Sequence, residues 1–177
     1  MSTARRKKGL IIVNTGNGKG KTSAALGVAL RAIGHDFDVS IVQFIKSKWR
    51  PGEVRIASKL KNYEITRTGE GFTWLSKDLE IDKAKAKKGW ELAKEKLSSD
   101  KNQIVILDEI TYAINYHFIE LEDVLEALRN KPKMLHVIIT GRNAPKEIID
   151  IADLVTEMKL VKHPYKSGIV AQRGIEF

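Results

Sequence analysis

Glycines 16, 18 and 20 are interleaved with polar residues in TGNGKGKT, residues 15–22, which ends in Gly20-Lys21-Thr22. Such glycines let successive backbone N–H groups turn toward anionic oxygens, and a helix leaving the loop adds a favourable dipole. Lys21 supplies a point charge for phosphate, and the Thr22 hydroxyl is placed to bind a magnesium ion that bridges phosphates. Lys19 adds a second cation. The usual phosphate-loop pattern, G-x-x-x-x-G-K-[ST], opens on glycine, whereas this chain has Thr15 there. The expectation is a nucleoside triphosphate site that holds its ligand differently from an ordinary hydrolase.

A second chemical element is IVILDEI, residues 104–110, an apolar run ending in Asp108 and Glu109. In open parallel sheets ligands gather at the carboxyl ends of strands, so this pair can reach a metal held by Thr22. The competing reading is two acids that cap the next helix. In VIITGRNAP, Gly141 and Arg142 follow another apolar run. Arg142 suits phosphate oxygens through its planar fork, and suits a structural salt bridge equally well. Asn143 reads as the N-cap of a helix begun by Pro145. Two loops remain: VQFIKSKWRPGE, with Lys46, Lys48, Trp49, Arg50 and Glu53, and TGEGFTWLSKD, where glycines 69 and 71 present Phe72 and Trp74. Aromatics in such loops either cover a planar ligand or pack on their own domain.

The elements that must position these residues are legible as alternating short and long segments. GLIIVN, VSIVQFI, YEITRT, IVILDEI, LHVIIT and LVTEMKLV read as strands, several of them apolar without alternation, as strands covered on both faces are. Between the first two, Ala25, Val28, Ala29 and Ala32 share one helix face before Gly34 offers a stop. From Asp78 to Leu97, Leu79, Ala86, Trp90, Ala93 and Leu97 form another apolar stripe, with the lysines at 83, 85, 87 and 88 mostly off it as a solvated face. Strand–helix–strand alternation predicts an α/β fold with a parallel sheet. The tail KHPYKSGIVAQRGIEF is a candidate edge strand.

The chain has 177 residues, enough for one sizeable core, so a basic tail at residues 1–8 and a single domain over 9–177 are expected. A formal net charge of +9 favours anionic partners such as nucleotides, nucleic acid or an acidic protein. Cysteine is absent, which removes disulfides, thiolate metal sites and cysteine nucleophiles and fits a reducing cytosol. The basic start MSTARRKKGLIIV is not followed by a long enough apolar run for a signal peptide. No stretch approaches the roughly 18 apolar residues a membrane span needs.

Taken in order, TGNGKGKTSAALGVALRAIGH, VQFIK, GFTW, LDEITYA and VIITGRNAP…ADLVTEMKLVKHPY…GIVAQRGIEF resemble the ATP:corrinoid adenosyltransferases of the CobA/CobO/BtuR type, from about Gly9 to Phe177. The resemblance implies a three-layer, RecA-like phosphate-loop NTPase fold. It also implies transfer of the 5′-deoxyadenosyl group of ATP to the cobalt(I) of a corrinoid (cobalamin, cobinamide or cobyrinic acid a,c-diamide), releasing triphosphate in cobalamin synthesis or salvage. The loop then holds a leaving group, and the nucleotide lies reversed relative to ordinary phosphate-loop enzymes. Carried over position by position, the triphosphate site is Asn17, Gly18, Lys19, Gly20, Lys21, Thr22 and Ser23, and the metal site (Mg2+ or Mn2+) is Thr22 with Glu109, supported by Asp108; Arg142 joins the ATP-binding candidates from its own chemistry. Phe72 and Trp74 are assigned to displacing the lower axial ligand of cobalt(II), which makes it easier to reduce; Lys21 stabilises the departing triphosphate.

The resemblance further implies a homodimer and a flavodoxin-like reductant; with the composition it gives the expectation of a cytoplasmic enzyme that binds neither nucleic acid nor membrane. Two departures modify it. The family often has a longer N-terminal segment that closes over the site, where about eight mostly polar residues precede the first strand here, so a reduced or missing lid is expected. After Trp74 an acidic, polar stretch is replaced by LSKD, which changes the corrin-rim contacts. The alternative function is a RecA-like ATPase switch that binds nucleic acid or a partner protein, which the basic balance would suit.

Overall fold

In the computed structural model the residues described are 7–44, 51–68 and 79–176. Six strands form one sheet: β1 Ile11–Thr15, β2 Val39–Gln43, β3 Tyr63–Arg67, β4 Ile104–Asp108, β5 His136–Thr140 and β6 Leu154–Glu157. Their order is β3-β2-β4-β5-β1-β6, and every pairing is parallel. All six segments read as strands are strands. Because the sheet is parallel, the carboxyl ends of β1, β2, β4 and β5 lie at one edge, and Gly16, Gln43, Asp108, Glu109 and Gly141 collect there.

The helices are α1 Lys21–Ile33, α2 Gly52–Ala57, α3 Leu79–Ser98, α4 Ile110–Asn115, α5 Leu121–Arg129 and α6 Lys146–Ile151. They cover both faces, which is why the central strands are apolar on both. Val105 and Leu107 of β4, with Val137 and Ile139 of β5, pack against Trp90, Ala93 and Leu97 of α3 and Val124, Leu125 and Leu128 of α5. Ile104, Ile106 and Ile138 point the other way, onto Ala25, Ala29 and Ala32 of α1. Burying each Val, Ile or Leu fully contributes about 1.5–3 kcal/mol. Small alanines on α1 let that helix sit close to the sheet, which holds the phosphate loop at its start against the ends of β1 and β4.

The expected stop at Gly34 holds, and three local readings change. Gly34 follows α1 but stays right-handed (φ −64°), and the left-handed residue of that turn is Asp36 (φ 58°). Leu79 lies at the exposed start of α3 rather than on its buried stripe. Asn143 does not cap α6; it takes φ 50° and uses its carbonyl to accept from Asn115, and Pro145 holds the cap position. Among the described residues the tail adds a short 3-10 helix, Pro164–Ser167, and no strand, so β6 remains the edge with all four residues exposed. His163 at its N-cap accepts from the Tyr165 N–H, which secures that turn. Among the described residues no helix is long and apolar enough to cross a membrane.

Candidate functional site

Gly16 (φ 96°) and Gly20 (φ 109°) take backbone conformations that side chains resist, and between them the loop wraps the Lys21 side chain. Lys21 Nζ donates to the carbonyls of Gly16 at 2.9 Å and Gly18 at 2.7 Å, and the residue is 7% exposed. Burial is the main force lowering the Lys21 pKa, aided by the charges of Arg142 and Lys19 and opposed by Glu109 and Asp108. Five charged groups from three segments therefore share one field. α1 begins without a side-chain cap and without an acid in its first turn, which leaves its N-terminal N–H groups and dipole for an anion.

One amide of the loop is already committed. Gly18 N–H donates to the Met158 carbonyl at 2.6 Å, so the loop is braced by the segment after β6 rather than turning every N–H inward. A Cβ on Gly18 would stand 2.7 Å from the carbonyl oxygens of Met158 and Lys159, which makes glycine obligatory there. Asn17, Lys19 and Ser23 are exposed at the rim. Lys19 Nζ lies 3.1 Å from Glu176 Oε2, a partly exposed ion pair that a polyphosphate can displace.

The Thr22 hydroxyl donates to Asp108 Oδ1 at 2.7 Å. Thr140, at the end of β5, donates to the same oxygen at 2.7 Å, and Gln43, at the end of β2, donates to Oδ2 at 3.0 Å. Three strands and the loop thus converge on one carboxylate, itself 1% exposed. Glu109 follows with φ 63°, a strained conformation for a non-glycine residue, and its N–H donates to Thr140 Oγ1 at 3.0 Å. Glu109 occupies the N-cap position of α4 without a side-chain cap bond, so neither acid caps that helix. Its half-buried carboxylate is the second-largest influence on Lys21, and the first acting to raise its pKa.

Thr15 continues β1, pairs with Glu157 of β6, and accepts the Ala144 N–H on its hydroxyl at 3.2 Å. Arg142 is exposed, while the backbone of its turn is fixed from α4 by Thr111 and Asn115. The structure thus brings together Lys21, Thr22, Asp108, Glu109 and Arg142. Phe72 and Trp74, together with Lys46, Lys48, Trp49 and Arg50, lie outside the described residues. Sequence reasoning gave no role to Gln43, Thr140, Thr111 or Asn115. The signal for the first two was a polar residue closing an apolar strand, in VSIVQ and HVIIT, at the sheet edge that carries Asp108.

Another cleft, of ≈ 580 Å³, opens at the amino ends of β2 and β3, away from the loop. Its polar walls are internally paired: Ser40 donates to Asn102 at 2.8 Å and Lys96 to Glu64 at 2.6 Å. Among the described residues no group of three or more His, Cys, Asp or Glu could hold a metal alone. A divalent ion at this site would draw its ligands from Thr22, the acids beside it and the nucleotide's own oxygens.

A model of the family described as "ATP:corrinoid adenosyltransferase BtuR/CobO/CobP" matches residues 7–177. The chain is 47% identical to the corrinoid adenosyltransferase of a Sinorhizobium species over 180 residues, covering all of this chain and 84% of that protein. It is 42% identical to the corrinoid adenosyltransferase of Escherichia coli K12 and to corrinoid adenosyltransferase CobA of Salmonella typhimurium LT2, each over 177 residues, covering all of this chain and 90% of the relative.

Proposed function

This chain belongs to the ATP:corrinoid adenosyltransferase family, whose reaction is ATP-dependent adenosyl transfer to a corrinoid, and from that premise we propose how its own residues carry the reaction. The observation that supports the assignment best is the pinned, desolvated Lys21 beside an uncapped helix N-terminus and the Thr22–Asp108 junction. Asn17 to Ser23, with Arg142, hold the triphosphate of ATP. Attack of the cobalt(I) electron pair of the corrinoid on C5′ forms the Co–C bond as C5′–O breaks and its electrons pass to the triphosphate. Lys21 and Lys19 stabilise that accumulating charge, and the burial of Lys21 makes its contact stronger than in water.

The donor set fits a magnesium or manganese ion. Thr22 directs its O–H at Asp108 as a hydrogen-bond donor and so keeps oxygen lone pairs for a cation, with Glu109 adjacent. When bound, the ion offsets triphosphate charge. Phe72 and Trp74 are the residues assigned to displacing the lower ligand of cobalt(II), a task that apolar side chains suit. A flavodoxin-like donor suits the +9 chain electrostatically. Leu154 and Val155, exposed among the described residues on the edge strand β6, support a homodimer. Light scattering at micromolar concentration tests the dimer, and turnover with reduced flavodoxin tests the donor. A cytoplasmic setting accords with the absence of cysteine.

The decisive experiment is anaerobic incubation with ATP, magnesium and chemically reduced cobalamin. A light-sensitive adenosylated corrinoid and intact triphosphate are expected. Orthophosphate without change at cobalt would instead indicate an ATPase switch.

A further inference from the structure

We infer that Thr15, which stands where the ordinary phosphate-loop pattern has glycine, is a positioning residue for Arg142. The inference rests on the reading of Arg142 as a triphosphate contact. Every backbone group that fixes the Arg142 turn has a named partner. Gly141 N–H donates to the Asn14 carbonyl at 3.3 Å. The Arg142 carbonyl accepts from Thr111 Oγ1 at 2.7 Å and from Asn115 Nδ2 at 3.4 Å. Asn115 Nδ2 also reaches the Asn143 carbonyl at 3.1 Å, and the Ala144 N–H closes the turn on Thr15 Oγ1 at 3.2 Å. Gly141 (φ 142°) is pressed so close to α4 that a Cβ would stand 1.9 Å from Thr111 Oγ1.

The turn is therefore clamped between α4 on one side and the end of β1 on the other, with Asn143 held at φ 50° between them. Thr15 is 7% exposed, and glycine at this position offers no side-chain acceptor for the Ala144 N–H. An arginine side chain is long and loses much rotamer freedom on binding, so what the fold can fix in advance is its Cα and the direction of its Cα–Cβ bond. The threonine does this from the first residue of the phosphate loop, so one short stretch of backbone sets the spacing between the Lys21 and Arg142 cations. The charge of Arg142 already acts on Lys21, which places the two within one field.

The test uses the full chain and inorganic triphosphate, titrated by calorimetry, with thermal unfolding of each variant alongside. Thr15→Val removes the acceptor at nearly constant shape and is expected to weaken binding by about three- to tenfold. Thr15→Ser restores it to within about twofold. Arg142→Ala weakens binding by about tenfold or more, and Thr15→Val adds nothing further in that background. Additive losses in the double variant, or Thr15→Ser as weak as Thr15→Val, overturn the inference alone. Wild-type affinity in Arg142→Ala overturns the phosphate reading of Arg142 and the inference with it. Should Thr15→Val fail to fold, Thr15→Ala removes the same acceptor without added bulk and carries the same comparison.

Discussion

Thr22 Oγ1 donates to Asp108 Oδ1 at 2.7 Å, and this bond joins the phosphate loop to the end of β4. The same carboxylate accepts from Thr140 and Gln43, whose Oε1 has no hydrogen-bond partner among the described residues. Asp108→Asn therefore has a way to be accommodated: the new amide N–H faces Gln43, which can flip to present Oε1. The expected stability loss is within about 1 kcal/mol, while magnesium-dependent ATP affinity falls by about tenfold or more. Asp108→Ala strands the Thr22, Thr140 and Gln43 donors together and costs about 2–3 kcal/mol of stability. Chemical denaturation and metal-dependent nucleotide binding on both variants separate the charge from the hydrogen-bond roles.

The strands were legible because their apolar runs had no alternation, and only a sheet covered on both faces accepts that. Lys21, Thr22, Asp108 and Glu109 were legible because phosphate and metal chemistry restricts the residue types and their spacing. Which acid bonds to Thr22 was not, since it depends on strand register; the direct partner is Asp108. Gln43, Thr111 and Asn115 act across the sheet edge from segments 65 or 31 and fewer residues away in sequence, and nothing local marks them. The tail reads apolar enough for a strand, with Ile169, Val170 and Ile175, yet those residues are exposed and join no strand among the described residues.

Gly89 sits inside α3, where glycine to alanine ordinarily stabilises a helix by about 1 kcal/mol. Here the sign reverses. A Cβ would stand 2.4 Å from Thr68 Oγ1 and 2.8 Å from its Cβ, and Thr68 is held by its hydrogen bonds to the Gln43 carbonyl. Gly89→Ala should destabilise by about 1–3 kcal/mol through overpacking, with part recovered by Thr68→Ala in the same chain. Urea unfolding of the two variants measures this, and a stabilised Gly89→Ala would refute the close approach of α3 to the end of β3.

Phe72 and Trp74 are proposed to act before the alkyl transfer, on the reduction of cobalt(II). Replacing either by alanine should therefore depress turnover from cobalt(II) far more than turnover from chemically pre-reduced cobalt(I). Rates measured in both assays decide it, and equal losses would count against ligand displacement.

Lys21 offers a pH-dependent signature. Burial holds its pKa below the ordinary lysine range, so the folded chain gives up this proton before the unfolded chain does. Lys21 thus opposes folding at every pH below its folded value, and the opposition is relieved as pH rises from that value to the ordinary one; stability gains with pH in this window. A bound triphosphate favours the charged form and raises the pKa again, so binding in the window draws one proton from solution. Calorimetry in two alkaline buffers of different protonation enthalpy should give different apparent heats for the native chain, and the part due to Lys21 should vanish in Lys21→Met. That variant should also lose about ten- to hundredfold in triphosphate affinity, the loss expected for a charge-assisted contact in a desolvated site. Identical buffer dependence in both chains would show that Lys21 stays protonated throughout, and that the triphosphate meets a lysine the loop has not perturbed.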